Sequence, residues 1–279
     1  MTSGSYVLEI LQLVKKRDLF LADTHILELE QECTQSAAAD PEDSTSPSVK
    51  DGGRRKAKDV ELLYEELQKE LWAVVRESLR SPTAGPNLGL VVQVLEQEEE
   101  VDKTWAVSEG AAPGGPRPRR LKQRWREAVE EAADSSLPQR AEFTAGDLDK
   151  YLDRIRARVV EDLGAAKRNA VSIYPEEFQA FQVYVESYHQ AVASRLKAIT
   201  DSQLEMTDIY SLLDWLHNIY SSNQHSQAWV QFGGVNTFKR TLVRTKQPDR
   251  DPLFEVVSVR FQTDSVAVRL WSEYKPAPI

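Results

Sequence analysis

The chain of 279 residues is poor in the side chains that build disulfide, metal and nucleophilic sites. It has one cysteine and four histidines. A single cysteine forms no intramolecular disulfide and no structural zinc site, and its rarity suits a reducing compartment. Cys33 lies close to Glu30 and Glu32, whose charges raise the pKa of a thiol, so we expect it to be unreactive.

No histidine stands at metal-ligand spacing from another His, Cys, Asp or Glu. The nearest pair is Asp214 and His217, which share one helix face. We interpret this pair as a surface hydrogen bond, because a metal needs further ligands that the sequence does not offer. The sequence therefore predicts no metal and no other cofactor.

Long apolar runs and catalytic motifs are also missing. No run approaches the roughly 18 residues that span a bilayer. The N-terminus lacks the basic segment and cleavage site of a signal peptide. No glycine pair follows a strand at phosphate-binding spacing, and no nucleophile elbow or kinase signature occurs. We expect a soluble intracellular protein that is not an enzyme.

Acidic residues outnumber basic ones, 44 to 35, which gives a net charge of −9. A chain with this balance has no overall basic field to attract a phosphate backbone, so we expect no nucleic-acid partner. The acidic run Glu96–Glu100 is interpreted as a solvated helix face.

Apolar residues recur at steps of three and four through most of the chain, the period of an amphipathic helix. We predict seven or eight helices, with no strand pattern before Asn223, stacked as an elongated all-α bundle. The predicted organisation has four parts. Residues 1–35 form an N-terminal helical segment (a hairpin or one bent helix), and residues 36–54 form a disordered linker. Residues 55–222 form a helical bundle, and residues 223–279 form a partly disordered divergent tail.

The strongest pattern lies between Ile173 and Tyr220, where two helices are predicted. Pro175, with two glutamates after it, suits a helix first turn. The second helix places its apolar band between Ile209 and Tyr220. The stripe of the first helix consists of Phe178, Phe181, Val185, Tyr188, Val192, Leu196 and Ile199.

The tail changes period from helical to alternating. Val257, Val259 and Phe261 alternate with polar residues, and a second alternating run follows a short turn. This pattern is typical of a β-hairpin. An isolated hairpin is marginally stable in water and no third strand of equal quality is apparent. Both a short hairpin and partial disorder therefore remain open.

One segment carries concentrated positive charge and a tryptophan. Its basic residues fit a contact with lipid headgroups or an acidic partner. Alternatively, Arg124 and Arg126 flank a core-facing Trp125 and pair with glutamates one turn away. The candidate contact residues are Arg117, Arg119, Arg120, Lys122, Arg124 and Arg126.

Several helical segments resemble the exocyst complex component 3 family. The most specific are FQVYVESYHQAVASRL at Phe181–Leu196 and DIYSLLDWLHNIY at Asp208–Tyr220. AKDVELLYEELQKELWAVVRESLRSP at Ala57–Pro82 and RPRRLKQRWREAVEEAA at Arg117–Ala133 add to the resemblance. It spans roughly Val7–Tyr220 and matches the N-terminal portion of a family member.

The resemblance implies a non-catalytic protein built as a rod of stacked helical bundles. Members of this family tether secretory vesicles to the plasma membrane. The implied partners are other exocyst subunits, SNARE proteins and the Ral GTPase pathway. The implied location is cytoplasmic and peripheral at the plasma membrane, together with the exocyst.

Beyond Tyr220 the sequence departs from the family pattern, which leaves three hypotheses. The first is an exocyst-type subunit or fragment that acts through helix–helix contacts. The second is a peripheral lipid binder that uses residues 117–126. The third is a truncated, non-functional product, in which the apolar band at 209–220 stays exposed and promotes aggregation.

Overall fold

The structure is a computed structural model that describes residues 3–38, 47–81, 85–107, 117–139, 146–201, 204–216, 239–244, 255–260 and 265–269. The predicted all-α helical bundle is confirmed. The helices in the described ranges are α1 (Ser3–Lys16), α2 (Leu19–Ala38), α3 (Pro47–Ser78), α4 (Pro86–Val107), α5 (Leu121–Ser136), α6 (Leu148–Ile173), α7 (Ala180–Thr200) and α8 (Met206–Asp214).

The predicted apolar stripes form the core. In α3, Leu63, Leu67 and Leu71 are fully buried, as the helical step requires. In α6, Leu152 and Ile155 are fully buried as well. No helix in the described part of the chain is long and apolar enough to cross a bilayer.

The first two helices form a hairpin rather than one bent helix. Arg17, at the turn, adopts a left-handed φ of 62°. The N–H of Asp18 donates to the carbonyl of Leu13 at 3.0 Å and closes the end of α1. Arg17 then reaches α3, where it pairs with Glu77 at 2.6 Å and with Glu70 at 3.3 Å.

The helices on either side of the predicted linker extend into it. α2 continues to Ala38, and α3 begins at Pro47, so both helices include residues of the predicted linker 36–54. Proline suits the first position of a helix because its missing N–H has no intrahelical partner there. Residues 39–46, the middle of the predicted linker, lie outside the described residues.

The start of α7 also differs from the prediction. Residues Glu176–Phe178 form a separate 3₁₀ turn after Pro175. Gln179 then takes a left-handed conformation, with φ 46° and ψ 38°, and α7 begins at Ala180. Phe178 therefore belongs to the core through the 3₁₀ turn and not through the helix.

The chain divides into two compact units. Unit 1 comprises Met1–Ala132 and Ala165–Val183, and unit 2 comprises Ala133–Gly164 and Tyr184–Ile279. In unit 1, helices α1 to α4 pack against one another.

Unit 2 is held together by buried polar contacts as well as by its apolar core. The Tyr188 hydroxyl donates to the Asp162 carboxylate at 2.7 Å, and Ser136 donates to the same carboxylate. Asp208 of α8 accepts the backbone N–H groups of Gly146 and Leu148, at 3.1 and 3.4 Å. In this way α8 caps the beginning of α6.

The predicted apolar band of α8 is largely covered. Leu212, Trp215 and Leu216 are buried, whereas Tyr210 is 68 % exposed. Residues 217–220 of the band lie outside the described residues.

The described part of the tail forms three antiparallel strands, β1 (Lys239–Arg244), β2 (Glu255–Arg260) and β3 (Ser265–Arg269), in the order β1-β2-β3. Strands β2 and β3 are the two alternating runs of the predicted hairpin, with Val259 opposite Val266. Strand β1 was not expected from the sequence. It pairs with β2 so that Leu242 lies opposite Val257.

Candidate functional site

The basic segment predicted to contact lipid is partly interior. Residues 117–120 lie just before α5, and the side chains of Arg117 and Arg119 are only 1 % and 8 % exposed. Both guanidinium groups point into an acidic slot between α2, α3 and α4 of unit 1. Their proposed role as surface contacts is therefore corrected, because a headgroup cannot reach them without unfolding this slot.

The Arg117 guanidinium is bound on all its donor edges. Its Nε donates to Glu30 at 2.6 Å, and its Nη1 donates to Glu98 at 2.9 Å and to Asp102 at 2.8 Å. Its Nη2 donates to Glu98 at 3.0 Å and to the Tyr64 hydroxyl at 2.7 Å. This fork contact with Glu98 uses the planar geometry that distinguishes arginine from lysine.

Arg119 forms the second connection. Its Nη2 donates to Glu30 at 2.7 Å and to Glu61 at 2.8 Å. Its guanidinium carbon lies 3.6 Å from the centroid of the Tyr64 ring, which is the geometry of a cation–π contact. Glu30 is therefore shared by both arginines.

The backbone of the segment is also fixed to α4. Asp102 accepts the N–H groups of Arg119 and Arg120, at 3.0 and 2.8 Å. Tyr64 in turn donates its hydroxyl hydrogen to Glu98 at 2.8 Å. The network thus joins α2, α3 and α4 to the chain that enters α5.

Charge pairing outweighs burial at the two arginines. Burial disfavours their charged forms, but the carboxylates of Glu98 and Glu30 raise the pKa of Arg117, and those of Glu61 and Glu30 raise the pKa of Arg119. Burial and the charges of Glu98 and Glu30 raise the pKa of Tyr64, so it stays a neutral donor.

A further carboxyl group lies behind this network. Asp23 is fully buried in α2. Burial and the nearby charge of Glu98 hold its pKa well above the usual range, although the positive charge of Arg117 opposes this. The raised pKa favours the protonated, neutral form of Asp23 in the folded state.

Sequence reasoning missed this network because it treated the acidic run of α4 as a solvated face. Glu98 is fully buried. It follows Leu95 by three residues and precedes Asp102 by four, so both acidic residues continue the apolar stripe of the helix. Asp23 and Glu30 continue the stripe of α2 in the same way. A carboxylate on the apolar stripe of a helix is expected to be buried, and a buried carboxylate needs a cation beside it. The positions of these acidic residues on the stripes could therefore have indicated buried arginines.

The rest of the segment stays nearer the surface. Trp125 is fully buried, as predicted, while Arg120, Arg124 and Arg126 are exposed. The predicted pairing with glutamates one turn away does not occur for Arg124, which donates instead to Gln68 of α3 at 2.6 Å.

Trp125 and Lys122 connect α5 to the turn between α6 and α7. The Trp125 Nε1 donates to the Tyr174 hydroxyl at 3.2 Å, and its ring meets Phe178 edge-on at a centroid distance of 5.8 Å. The Lys122 Nζ lies 4.3 Å from the centroid of the Phe178 ring and pairs with Glu99 at 3.3 Å.

The cysteine behaves as predicted. Burial raises the pKa of the Cys33 thiol, with Glu32 and Glu30 adding to the rise and Lys56 opposing it. Within the described ranges, no group of His, Cys, Asp and Glu is arranged to hold a metal ion. His217, of the predicted surface hydrogen bond, lies outside the described residues.

These contacts define a helical-bundle protein whose buried polar groups hold helices together. Residues 57–246 match the family model described as exocyst complex component Sec6. The chain belongs to this exocyst family.

The similar proteins agree with this assignment. The chain is 33 % identical to human tumor necrosis factor alpha-induced protein 2 over 77 % of its own length and 32 % of that protein. It is 25 % identical to the zebrafish exocyst complex component 3-like protein, over 79 % of the chain and 30 % of the relative. The crystal structure of M-Sec matches with a TM-score of 0.65 and 27 % identity, over 82 % of this chain and 39 % of M-Sec. The chain thus spans about a third of the length of these relatives.

Proposed function

We propose that the protein is a non-catalytic subunit of the exocyst type that takes part in tethering vesicles for exocytosis. The supporting observation is the Sec6 family match over residues 57–246, which includes most of α3 and all of α4 to α8. The implied partners are other exocyst subunits, with SNARE proteins and the Ral GTPase pathway as finer expectations from the family. The implied location is cytoplasmic, with the exocyst at the plasma membrane.

The surface of the bundle carries apolar side chains suited to helix–helix contacts. Leu62 of α3 is 59 % exposed and lines a shallow groove with Ala57, Lys58 and Glu61. Among the residues that the structure describes, the other exposed large apolar ones are Leu8, Phe20, Leu21, Val160, Met206 and Tyr210. Interfaces gain most of their free energy from a few such side chains, so these are the proposed contact positions.

Cross-linking mass spectrometry of the tagged chain captured from cells tests this role. We expect other exocyst subunits to be recovered in excess over a capture with an unrelated helical bundle. Full-length exocyst complex component 3, captured from the same cells, is the positive control. Recovery of exocyst subunits by that control but not by the chain contradicts the proposal.

A pair of variants on α3 tests the surface itself. Leu62→Asp puts a charge into the groove and is expected to reduce recovery of exocyst subunits. Lys69→Asp, on an exposed position of the same helix, is the matched control and is expected to leave recovery unchanged. Equal recovery with both variants excludes the groove as the contact.

A further inference from the structure

The ends of three helices meet at one place in unit 1. Arg17, at the end of α1, pairs with Glu77 in the last turn of α3 at 2.6 Å. The Asn169 side chain of α6 donates to the carbonyl of Ser78, the last residue of α3, at 2.7 Å. Residues next to these two contacts, on α1, α3 and α6, are therefore neighbours in space.

Exposed cations gather at this junction, which we call the basic end. Of the carboxylates described at this end, Glu70 and Glu77 both pair with Arg17, and Asp18 is exposed. None of the five exposed cations forms an ion pair with another residue in the described part of the chain. They are Lys15, Lys16, Arg76, Arg80 and Arg168.

Helix stabilisation explains only part of this arrangement. Lys15, Lys16 and Arg76 lie in the last turns of their helices, where positive charge favours the helix dipole. Arg80 lies beyond the end of α3, and Arg168 lies before the last turn of α6. The two arginines therefore add positive charge that the dipoles do not require.

Apolar side chains are exposed just after the turn that follows Lys15 and Lys16 in sequence. One of them, Phe20, lines a shallow groove with Gln93, Glu96 and Gln97 of α4. Phe20 and Leu21, at the start of α2, are 41 % and 40 % exposed and lie two and three residues after Asp18 in sequence. Basic groups with neighbouring aromatic and aliphatic side chains are the combination that holds proteins at an anionic bilayer surface. The charges come from the ends of three helices rather than from the walls of one groove, and this suits a plane better than a peptide.

We propose that the basic end is a contact surface for the anionic headgroups of a membrane. The whole chain carries a net charge of −9, so an anionic bilayer repels the remainder of the molecule and attracts this end. The contact therefore orients the bundle as well as binding it. This membrane contact is a separate proposal from the tethering role and does not depend on that role.

Sedimentation of the purified full chain with vesicles tests the proposal. The vesicles are phosphatidylcholine with and without about 30 mol% phosphatidylserine, because polybasic segments bind anionic leaflets at such contents. We expect binding only to the anionic vesicles, and its loss at about 1 M salt, where the screening length is about 3 Å.

Matched triple variants locate the surface. Lys15→Glu with Lys16→Glu and Arg80→Glu is expected to lower binding about a hundredfold or more, since each cation contributes about fivefold. The glutamine triple at the same positions is expected to give an intermediate loss. The control reverses Arg120, Arg124 and Arg126 to glutamate and is expected to leave binding unchanged. All these side chains are exposed, and far-UV circular dichroism confirms that the variants keep their helices.

Three results overturn the proposal. The first is no binding of the wild-type chain to anionic vesicles. The second is that the control variant of Arg120, Arg124 and Arg126 loses binding while the glutamate variant of Lys15, Lys16 and Arg80 keeps it. This result assigns the contact to residues 117–126. The third is binding to poly-glutamate but not to vesicles, which identifies an acidic protein partner instead of a membrane. None of these assays contains exocyst subunits, so their outcome is independent of the proposed tethering role.

Discussion

At the scale of single residues, the guanidinium of Arg117 is the group on which the buried network depends. It contacts the carboxylates of Glu30, Glu98 and Asp102 and the hydroxyl of Tyr64. A buried ion pair adds little net stability by itself, because desolvation offsets the attraction. Removal of one partner is different, since it leaves the opposite charges buried and unpaired.

Arg117→Ala is therefore expected to lower the free energy of unfolding by about 3–5 kcal/mol. Arg126→Ala, at an exposed position of α5, is the control, with an expected change within about 0.5 kcal/mol. Urea unfolding followed by circular dichroism measures both. Similar values for the two variants would mean that the slot rearranges to accept water.

Asp23 gives the network a dependence on pH. Its folded-state pKa is raised, so the folded state holds the proton more tightly than the unfolded state. The stability that this group contributes is then complete below its unfolded pKa of about 4 and decreases as pH rises toward the folded pKa. Asp23→Asn removes this loss while keeping the shape of the side chain.

We expect Asp23→Asn to stabilise the protein by about 1 kcal/mol or more at pH 7, and this gain to vanish near pH 4. Urea unfolding of both proteins across this range provides the measurement. A variant that is less stable than the wild-type chain at pH 7 would show that Asp23 is ionised and paired in the folded state.

At the scale of the elements, α6 depends on a cap that comes from distant sequence. Asp208 accepts the N–H of Leu148, the first residue of α6, which has no intrahelical partner, and the N–H of Gly146 just before the helix. Its negative charge also meets the positive end of the helix dipole. The sequence around the start of α6 gives no indication of this contact, because Asp208 lies 60 residues after Leu148.

Asp208→Ala is expected to cost about 1–2 kcal/mol of unfolding free energy, because it removes the cap and leaves the buried N–H of Leu148 unpaired. Asp153→Ala, an exposed change on α6 beyond its first turn, serves as the control. Chemical denaturation compares the two variants. If they have the same midpoint, the Asp208 carboxylate is not a significant cap.

The helices were predictable from sequence because their apolar stripes are local. The stripe through Leu63, Leu67 and Leu71 defines α3 and its buried face without reference to any other part of the chain. The contacts of Arg117 were not predictable, since its partner Glu30 lies 87 residues away. The residues next to Arg117 in sequence are compatible with a solvated or a buried arginine. Only the positions of the packed helices α2, α3 and α4 show that it is buried.

At the scale of the whole molecule, the two proposed activities use segments that overlap only in part. The family match covers residues 57–246, which include three of the five cations of the basic end, whereas Lys15 and Lys16 at the end of α1 lie before it. Exocyst assembly and membrane contact thus draw partly on different segments, and a change at one need not affect the other.

The triple reversal of Lys15, Lys16 and Arg80 is accordingly expected to leave the capture of exocyst subunits from detergent lysate within about twofold of wild type, since exposed charges change interface affinity little at a distance. Quantitative mass spectrometry of the captured material measures this. Loss of the subunits together with loss of vesicle binding would show that the basic end contacts a protein.

The order in which the chain is synthesised gives the Arg117 network a temporal aspect. The ribosome releases Glu30, Tyr64 and Glu98 before Arg117, and at about 5–20 residues per second the interval from Glu30 to Arg117 is roughly 4–17 s. During that time, α2 to α4 have acidic positions on their apolar stripes and no guanidinium to neutralise them. We therefore expect the core of the nascent N-terminal helices to be less stable until Arg117 emerges and pairs with these carboxylates.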